Sequence, residues 1–452
     1  MNAISPSIDI ADELRTMLND KKVRFLMASY VDMHGVSKTK MVPTSHLEQM
    51  LAGSEMFTGA ALDGVPQQVN DNEVAAYPDP ASAMVLPWDP SIAWLASDLR
   101  LDGAPFDACS RNILKRQTAE AAALGYRFNL GMEAEFYVLK SDGDDEPLSP
   151  RRLSKPCYDA SSVLDNMGWL SEMVDAMNEL GWDVYSFDQE DALGQFEIDF
   201  AYSDALTMSD RFVFLRMMAN YLARRHGLFA SFMPKPYANR TGSGAHFNMS
   251  LGDLASSRNL FADPADPRGC GLSALGYQFT AGVVRHLPAI CAVVAPTVNS
   301  YKRLVKRGSM SGFTWAPIFA CYGNNNRTNA VRIPLGGGRI ELRSADAACN
   351  PYLGAAMVLA AGLEGIREGL DPGEPNRDNM YELGPDALAE RGIRQLPRTL
   401  EEALDAFEAD PLARAVMGDR MADSWLTNKR NEWLSYVAHV SDWETSRYLH
   451  FF

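Results

Sequence analysis

YRFNLGMEAEFYVL, residues 126–139, reads as one β-strand carrying two carboxylates, Glu133 and Glu135, with a single small apolar residue between them. In an extended chain that spacing turns both to the same face. FNLGM before the pair and FYVL after it make the strand substantially apolar, and buried like charges repel unless cations or protons relieve them. A solvated surface strand would use the same letters, so the pair gains its meaning from the acidic and imidazole groups further along the chain. Glu190 and Glu197 lie in DQEDALGQFE on either side of Leu193-Gly194, so two elements must bring them together. His246 lies in TGSGAHFN, where Gly242 and Gly244 permit close backbone approach. Alone, it would read as a neutral structural histidine. Carboxylates joined by one imidazole suit Mg²⁺ or Mn²⁺.

Arginines complete the pattern: Arg303 in NSYKRL, Arg327 and Arg332 in NNRTNAVR, and Arg339 and Arg343 bracketing Glu341 in GGGRIELR. Any one of them could be an ordinary surface ion-pair partner. Alternation, however, places Arg339, Glu341 and Arg343 on one face of an extended segment, setting an acidic ligand among anion-binding groups. Arg327 and Arg332 can neutralise phosphoryl oxygens if the fold gathers them. TGSGAH is not a Walker phosphate loop and no Rossmann fingerprint is present, so nucleotide binding needs another architecture. The set reads as a device for bringing a metal-bound polyphosphate beside an acidic small molecule.

With 452 residues and 46% hydrophobic composition, the chain can bury a large core and divide into more than one domain. A formal charge of -16 argues against nonspecific nucleic-acid binding. Six cysteines without a close CxxC pair carry no disulfide signature and predict a reducing, cytoplasmic setting. Neither a signal segment nor an apolar run of membrane-spanning length is present, so no membrane partner is expected.

VRFLMASYVDM (23–33) predicts a strand running into a His34-Gly35 turn, and the Gly/Pro/Asp-rich stretch 53–90 predicts loops between short strands. RNILKRQTAEAAAL (111–124) predicts a helix stopped by Gly125, with a domain boundary just before it: 1–110 and 111–452. Residues 141–152 read as an exposed loop. Helices are expected over 162–180 and 205–226, with QFEIDF as an alternating strand between them, and the segments LFASFMPKP, GAHFNMSL, AVRIP and RIELRS continue the alternation of helices and short strands. Helical spacing recurs over 401–447, and the aromatic terminus, Tyr448 to Phe452, is suited to docking on a neighbour.

These motifs resemble the glutamine synthetase superfamily, and within it the subgroup that makes γ-glutamylmethylamide. The resemblance spans nearly the whole chain, through GMEAEF (131–136), EDALGQFEID (190–199), FMPKP (232–236), GSGAHFNMSL (242–251), NSYKRL (299–304), NNRTNAVRIP (325–334) and RIELRSADAACNPYL (339–353). It implies an α+β fold: a small N-terminal β-grasp-like domain plus a catalytic domain with a curved antiparallel sheet and flanking helices. It also implies that ATP activates L-glutamate as γ-glutamyl phosphate, which an amine then attacks.

At least two divalent ions would be held per site, one nearer glutamate by Glu135, Glu190 and Glu197, the other at the ATP phosphates by Glu133, His246 and Glu341. Arg303, Arg343 and Gly242 would bind glutamate. Arg327 and Arg332 would meet the transferring and nucleotide phosphates, and Asn248 and Ser250 would join the nucleotide site. Asp63, in GAALDG, would reach the active site of an adjacent subunit of a dodecamer and help deprotonate the amine; a turn aspartate beside Gly64 is the plainer alternative. Tyr381 falls near a tyrosine modified in some relatives, and buried packing is the expectation for it here.

One departure bears on the amine. Where ammonia-using relatives carry a flap glutamate after NSYKRLV, this chain has KRGSMSGFTWAP, with Ser309 near the matching place and no acidic residue between Arg303 and Arg327. Phe313 and Trp315 could line the space, or serve as core aromatics. Methylamine is therefore the expected amine, with ammonia, or a larger amine or polyamine, as alternatives and a noncatalytic assembly as the distant one.

Overall fold

The computed structural model describes residues 7–141, 146–149, 153–309, 312 and 314–452. Phe313 and parts of the expected loop 141–152 lie outside the described residues. The first sheet contains β1 (Phe25–Val31), β2 (Ser37–Pro43), β3 (Glu55–Phe57), β4 (Val74–Pro78), β5 (Met84–Leu86), β6 (Asp89–Leu101) and β7 (Ala104–Pro105). Its order is β2-β1-β6-β4-β3, with β5 and β7 also on β6. β1 and β6 run parallel and the other pairs antiparallel. IAWLA (92–96) in β6 is apolar throughout because both faces are buried. Ala93 and Leu95 pack with Leu14 and Leu18 of α1 (Ser7–Asp20) and with Leu47 and Met50 of α2 (Leu47–Leu51). Trp94 and Ala96, on the opposite face, join the main core.

Gly125, at φ +82°, stops α3 (Ser110–Ala123) and sends the chain into β8 (Tyr126–Lys140). There follow α4 (Ala160–Glu179), β9 (Val184–Gln189), β10 (Gln195–Phe200), β11 (Ser203–Asp204), α5 (Ala205–Arg225), β12 (Leu228–Ser231) and β13 (Ala245–Asp253). Next come α6 (Ala274–Val294), α7 (Ser300–Arg303), β14 (Phe319–Ala320), β15 (Tyr322–Asn324), β16 (Val331–Ile333), β17 (Ile340–Leu342) and α8 (Pro351–Glu368). The chain closes with α9 (Pro385–Glu390), β18 (Arg394–Gln395), α10 (Leu400–Ala409), α11 (Pro411–Met417), α12 (Asp419–Ala438) and α13 (Asp442–Tyr448). Among the described residues no helix is long and apolar enough to cross a membrane.

The second sheet runs β15-β16-β17-β13-β8-β10-β9, with β11 and β12 also on β8, and is antiparallel except for β15 against β16. β8 is its spine. The helices beside it start where side chains satisfy their free amides: Asp159 caps α4, Asp204 caps α5, Ser273 caps α6 and Asn350 caps α8. α6 and α8 touch backbone to backbone, since a Cβ on Gly282 would lie 2.0 Å from the Ala361 carbonyl and one on Gly365 2.1 Å from that of Gln278. With one face toward this helical layer, the sheet turns its other face to a cleft.

Candidate active site

Strand register gathers the acidic residues. Glu135 on β8 pairs with Glu197 on β10, Glu133 with His246 on β13, and Glu341 on β17 with Asn248 on one side and Arg332 on the other. Two triads result, each with its ligand atoms within 4.8 Å of one another: Glu133, Glu197 and His246, and Glu135, Glu190 and Glu197. Glu197 belongs to both. His246 Nδ1 lies 3.0 Å from Glu133 and 3.5 Å from Glu341, and its Nε2 3.7 Å from Glu135. Asn248 donates to Glu133 at 2.7 Å, and Arg339 donates to Asn248 at 3.1 Å.

The small residues before His246 are sterically required. The Gly244 amide donates to Glu135 at 2.6 Å, and a Cβ there would lie 2.7 Å from the Arg303 guanidinium and 2.8 Å from His246 Nε2. A Cβ on Gly242 would meet the Pro234 carbonyl at 2.4 Å. Any side chain at either position would push Arg303 or His246 out of place.

Burial, and then the charge of Glu135, pushes the Glu190 carboxyl up to about 8. Burial and then Glu190 raise Glu197 far above the ordinary range, and burial followed by Glu133 takes Asp199 to about 7. Asp188 rises through burial and then Glu135. His246 moves the other way, to about 3, because burial and then Arg343 outweigh its carboxylate neighbours. A neutral imidazole beside mutually repelling carboxylates is the donor set that a divalent cation relieves, so these residues fit Mg²⁺ or Mn²⁺.

Glu341 has a different environment. It is fully buried, which by itself raises its pKa, but Arg343, His246 and Arg332 outweigh burial and leave it lowered. Arg343 Nη1 donates to one carboxylate oxygen and Arg332 Nη1 donates to the other at 2.6 Å. Arg303, also buried, donates to the carbonyls of Ser344 at 3.2 Å and Arg343 at 3.0 Å. Among the described residues no carboxylate forms an ion pair with Arg303, so its charge remains available to an anionic ligand. Arg327 is exposed on the same wall.

These groups line a cavity of about 900 Å³ that also includes Thr314, Trp315 and Ala316. An adjoining cavity of about 470 Å³ shares Glu133, Asp199 and Arg339 with it, and holds Asn248, Ser250, Tyr185 and Tyr202. Asp63 lies in neither. It stands beyond β3, its side chain 79% exposed and 3.4 Å from His34 Nε2. Tyr381 is buried and donates to the Ala316 carbonyl at 2.5 Å. Trp315 lines the cleft at φ +57°, a conformation rare outside glycine. Three cleft acids, Asp188, Asp191 and Asp199, are absent from the expected set. Alternation in QFEIDF places Asp199 on the face of Glu197, whereas Asp188 meets Glu197 only through the β9–β10 register.

The family described as "Glutamine synthetase, catalytic domain" matches residues 107–448. The chain belongs to the glutamine synthetase family. A glutamate–methylamine ligase of Methyloversatilis universalis is 43% identical over 97% of this chain and 99% of its own length. A glutamine synthetase of Rhizobium leguminosarum is 40% identical over 96% and 98%. The solved structure titled "GmaS/ADP complex-Conformation 1" superposes with a TM-score of 0.90 at 39% identity, covering 96% of this chain and 99% of that one. This glutamine synthetase family member is an ATP-dependent ligase of the glutamate–amine class, with acidic clusters that fit the divalent ions such chemistry uses.

Proposed function

We propose that the chain joins L-glutamate to methylamine through γ-glutamyl phosphate, releasing γ-glutamylmethylamide, ADP and phosphate. The observation that carries this reading is the stretch between Arg303 and Arg327, which contains no acidic residue, with Ser309 near the place where the family resemblance puts a flap glutamate in ammonia-using relatives. Without that carboxylate the site loses an ammonium-binding charge and gains room for a methyl group. The 43% identical glutamate–methylamine ligase supports the same reading.

Glu135, Glu190 and Glu197 would hold an ion nearer glutamate, and Glu133, His246 and Glu341 one nearer the ATP phosphates. When bound, these ions supply charge neutralisation and polarise phosphoryl oxygens. Arg303 and Arg343, with Gly242, orient glutamate; Arg327 and Arg332 meet charge developing on the transferred phosphoryl group; Asn248 and Ser250 line the nucleotide side. Asp63 accepts an amine proton in the cleft of a neighbouring subunit, within a dodecamer of two hexameric rings. Its exposure and its distance from its own cleft favour that arrangement. Residues 1–110 form the unit that carries Asp63 and residues 111–452 the catalytic unit, in a cytoplasmic enzyme.

A buried methyl is worth only about 1 kcal/mol, so the preference over ammonia is modest. Glutamine synthesis from ammonia is the second reading, favoured by the Rhizobium relative of nearly equal coverage. The test compares product-specific kcat/KM for methylamine, ammonia, ethylamine and a polyamine at equal free-base concentration, with each amide detected by mass. Methylamine is expected to lead. A clear ammonia preference would assign the chain to glutamine synthesis, and a polyamine preference to larger amines.

A further inference from the structure

The turn after β1 is fastened more firmly than a surface hairpin requires. The Asp32 carboxylate accepts the amides of His34 and Val36, both at 2.9 Å. The Arg216 guanidinium reaches across from α5 to the Gly35 carbonyl at 2.7 Å, and Asn350, the cap of α8, donates to the carbonyls of Asp32 at 2.9 Å and Met33 at 3.3 Å. Met33 in turn donates its amide to Gly64 at 3.3 Å, tying this turn to the one that carries Asp63. Gly64 sits at φ +79° with no room for a side chain, since a Cβ would lie 2.7 Å from Met33 Cγ and 3.0 Å from the His34 ring.

The result is one fixed imidazole facing one exposed carboxylate. His34 Nε2 is buried, makes no hydrogen bond among the described residues, and stands 3.4 Å from Asp63 Oδ2, the polar group it faces at ion-pair distance. Asp63 has no other ion-pair partner among the described residues, and without the imidazole its carboxylate would be free to rotate in solvent. Two helices of the catalytic region thus determine where His34 sits, and His34 sits against the one proposed catalytic group outside the chain's own cleft.

We propose that His34 is a positioning residue for Asp63: its Nε2–H orients the carboxylate that takes a proton from the attacking amine in the neighbouring subunit's cleft. This rests on the reading that Asp63 serves amine deprotonation. One N–H proton passes from the alkylammonium to Asp63, and the freed lone pair attacks the γ-acyl carbon. The bond from that carbon to the phosphate oxygen breaks, and phosphate leaves with its electron pair. The second amine proton is lost to solvent as the amide forms. A small rotation of the exposed Asp63 carboxylate toward Nε2 lets His34 donate to it, and His34 is not itself consumed.

His34→Phe keeps a ring of similar size and removes the donor, whereas His34→Gln places an amide N–H close to the position of Nε2. The intact oligomer is assayed for kcat/KM toward methylamine, for KM of glutamate and ATP, and for glutamate-dependent ADP release without amine. His34→Phe is expected to lower kcat/KM for methylamine by about 10-fold, a fraction of the 10²–10⁴-fold range of general acid–base catalysis. The KM values for glutamate and ATP stay within twofold, and His34→Gln recovers most of the loss. On an Asp63→Asn background, His34→Phe should cost nothing further.

Equal methylamine kcat/KM in His34→Phe and the parent, together with a large loss in Asp63→Asn, would overturn the role of His34 and leave that of Asp63 standing. No loss in Asp63→Asn would overturn both. A uniform loss across all three measurements, unrescued by His34→Gln, would make His34 a structural residue. If His34→Phe fails to assemble, the comparison of His34→Gln with His34→Asn decides, since the shorter amide cannot reach Asp63 and must show the loss if orientation matters.

Discussion

Glu190, Glu197, Asp188 and Asp199 make no ion pair among the described residues, and their carboxyls are pushed upward by burial and by one another. Across the same cleft Glu341 is more deeply buried, yet its carboxyl is lowered, because Arg343 and Arg332 take one oxygen each. Burial therefore does not decide the state of a carboxylate in this molecule; the sign of its neighbours does. The β9–β10 side accumulates repulsion that cations or protons must relieve, whereas the β16–β17 side is balanced without them and combines an acid with cations suited to phosphate.

Metal removal tests this contrast most severely. With EDTA in excess, ADP formation from ATP, glutamate and methylamine should fall to background, and activity persisting there would mean that the acidic side needs no cation. Next in size, Glu135→Ala and Glu341→Ala should each lower kcat by about 100-fold or more, exceeding the 10–100-fold cost of losing an outer partner of a metal ligand. Divalent-ion binding measured on the folded variants checks the cause, since unchanged binding and turnover would remove both residues from the site.

Stability should separate the two sides even without catalysis. Glu341→Gln leaves two guanidinium groups without their carboxylate and should cost about 3–5 kcal/mol, the range for breaking a buried pair. Glu197→Gln removes a buried carboxyl that resists ionisation, and should raise the melting temperature in EDTA at pH 8, where the unfolded chain would ionise it. Opposite signs in thermal denaturation support the contrast; destabilisation of similar size in both would erase it.

The pH dependence of the metal-free protein is a smaller effect with a definite sign. Glu190 at about 8 and Asp199 at about 7 stand above the range of an unfolded carboxylate, so the native state holds extra protons between roughly pH 4 and 8. Stability should therefore fall as pH rises through that window, by about 1.4 kcal/mol per unit for each extra proton. Glu341, being lowered, loses its contribution only on acidification below the ordinary carboxylate range. Melting temperatures at pH 5.5 and 8 in EDTA should differ, and Mn²⁺ should restore the value at pH 8. A flat profile in EDTA would show that the acidic side is not under strain.

The smallest effect concerns the amine. Ser309→Glu should move the ratio of kcat/KM for ammonia to that for methylamine upward by a few-fold, consistent with the small energy of one methyl group. No change would disconnect position 309 from amine choice while leaving the charge contrast intact.

Much of the cleft is legible along the chain because strand alternation is a local property. The spacing in GMEAEF puts Glu133 and Glu135 on one face wherever β8 lies, and GRIELR sets Glu341 among arginines in the same way. The glycine-stopped helices α3, α4 and α5 are equally plain, each ending before a glycine with positive φ. α6 gives no such signal and α8 only its terminal Gly369, at φ +63°: both are apolar on nearly every side and lack the polar face that makes an amphipathic period. Their glycines read as breakers in sequence, yet Gly282 and Gly365 are where the two backbones touch.

By itself, then, the sequence determined which chemical groups this protein carries, which of them share a strand face, and to which family it belongs, since these follow from residue identity and two-residue periodicity. Tertiary structure alone decided that Glu197 joins both acidic triads, that Asp188 lies against it, that Arg332 and not only Arg343 neutralises Glu341, and that Asp63 stands apart from its own cleft, beside His34. Each of these depends on register between strands or contact between elements far apart in the chain, and such contacts are set by the packing of the whole core on β8 rather than by any local spacing.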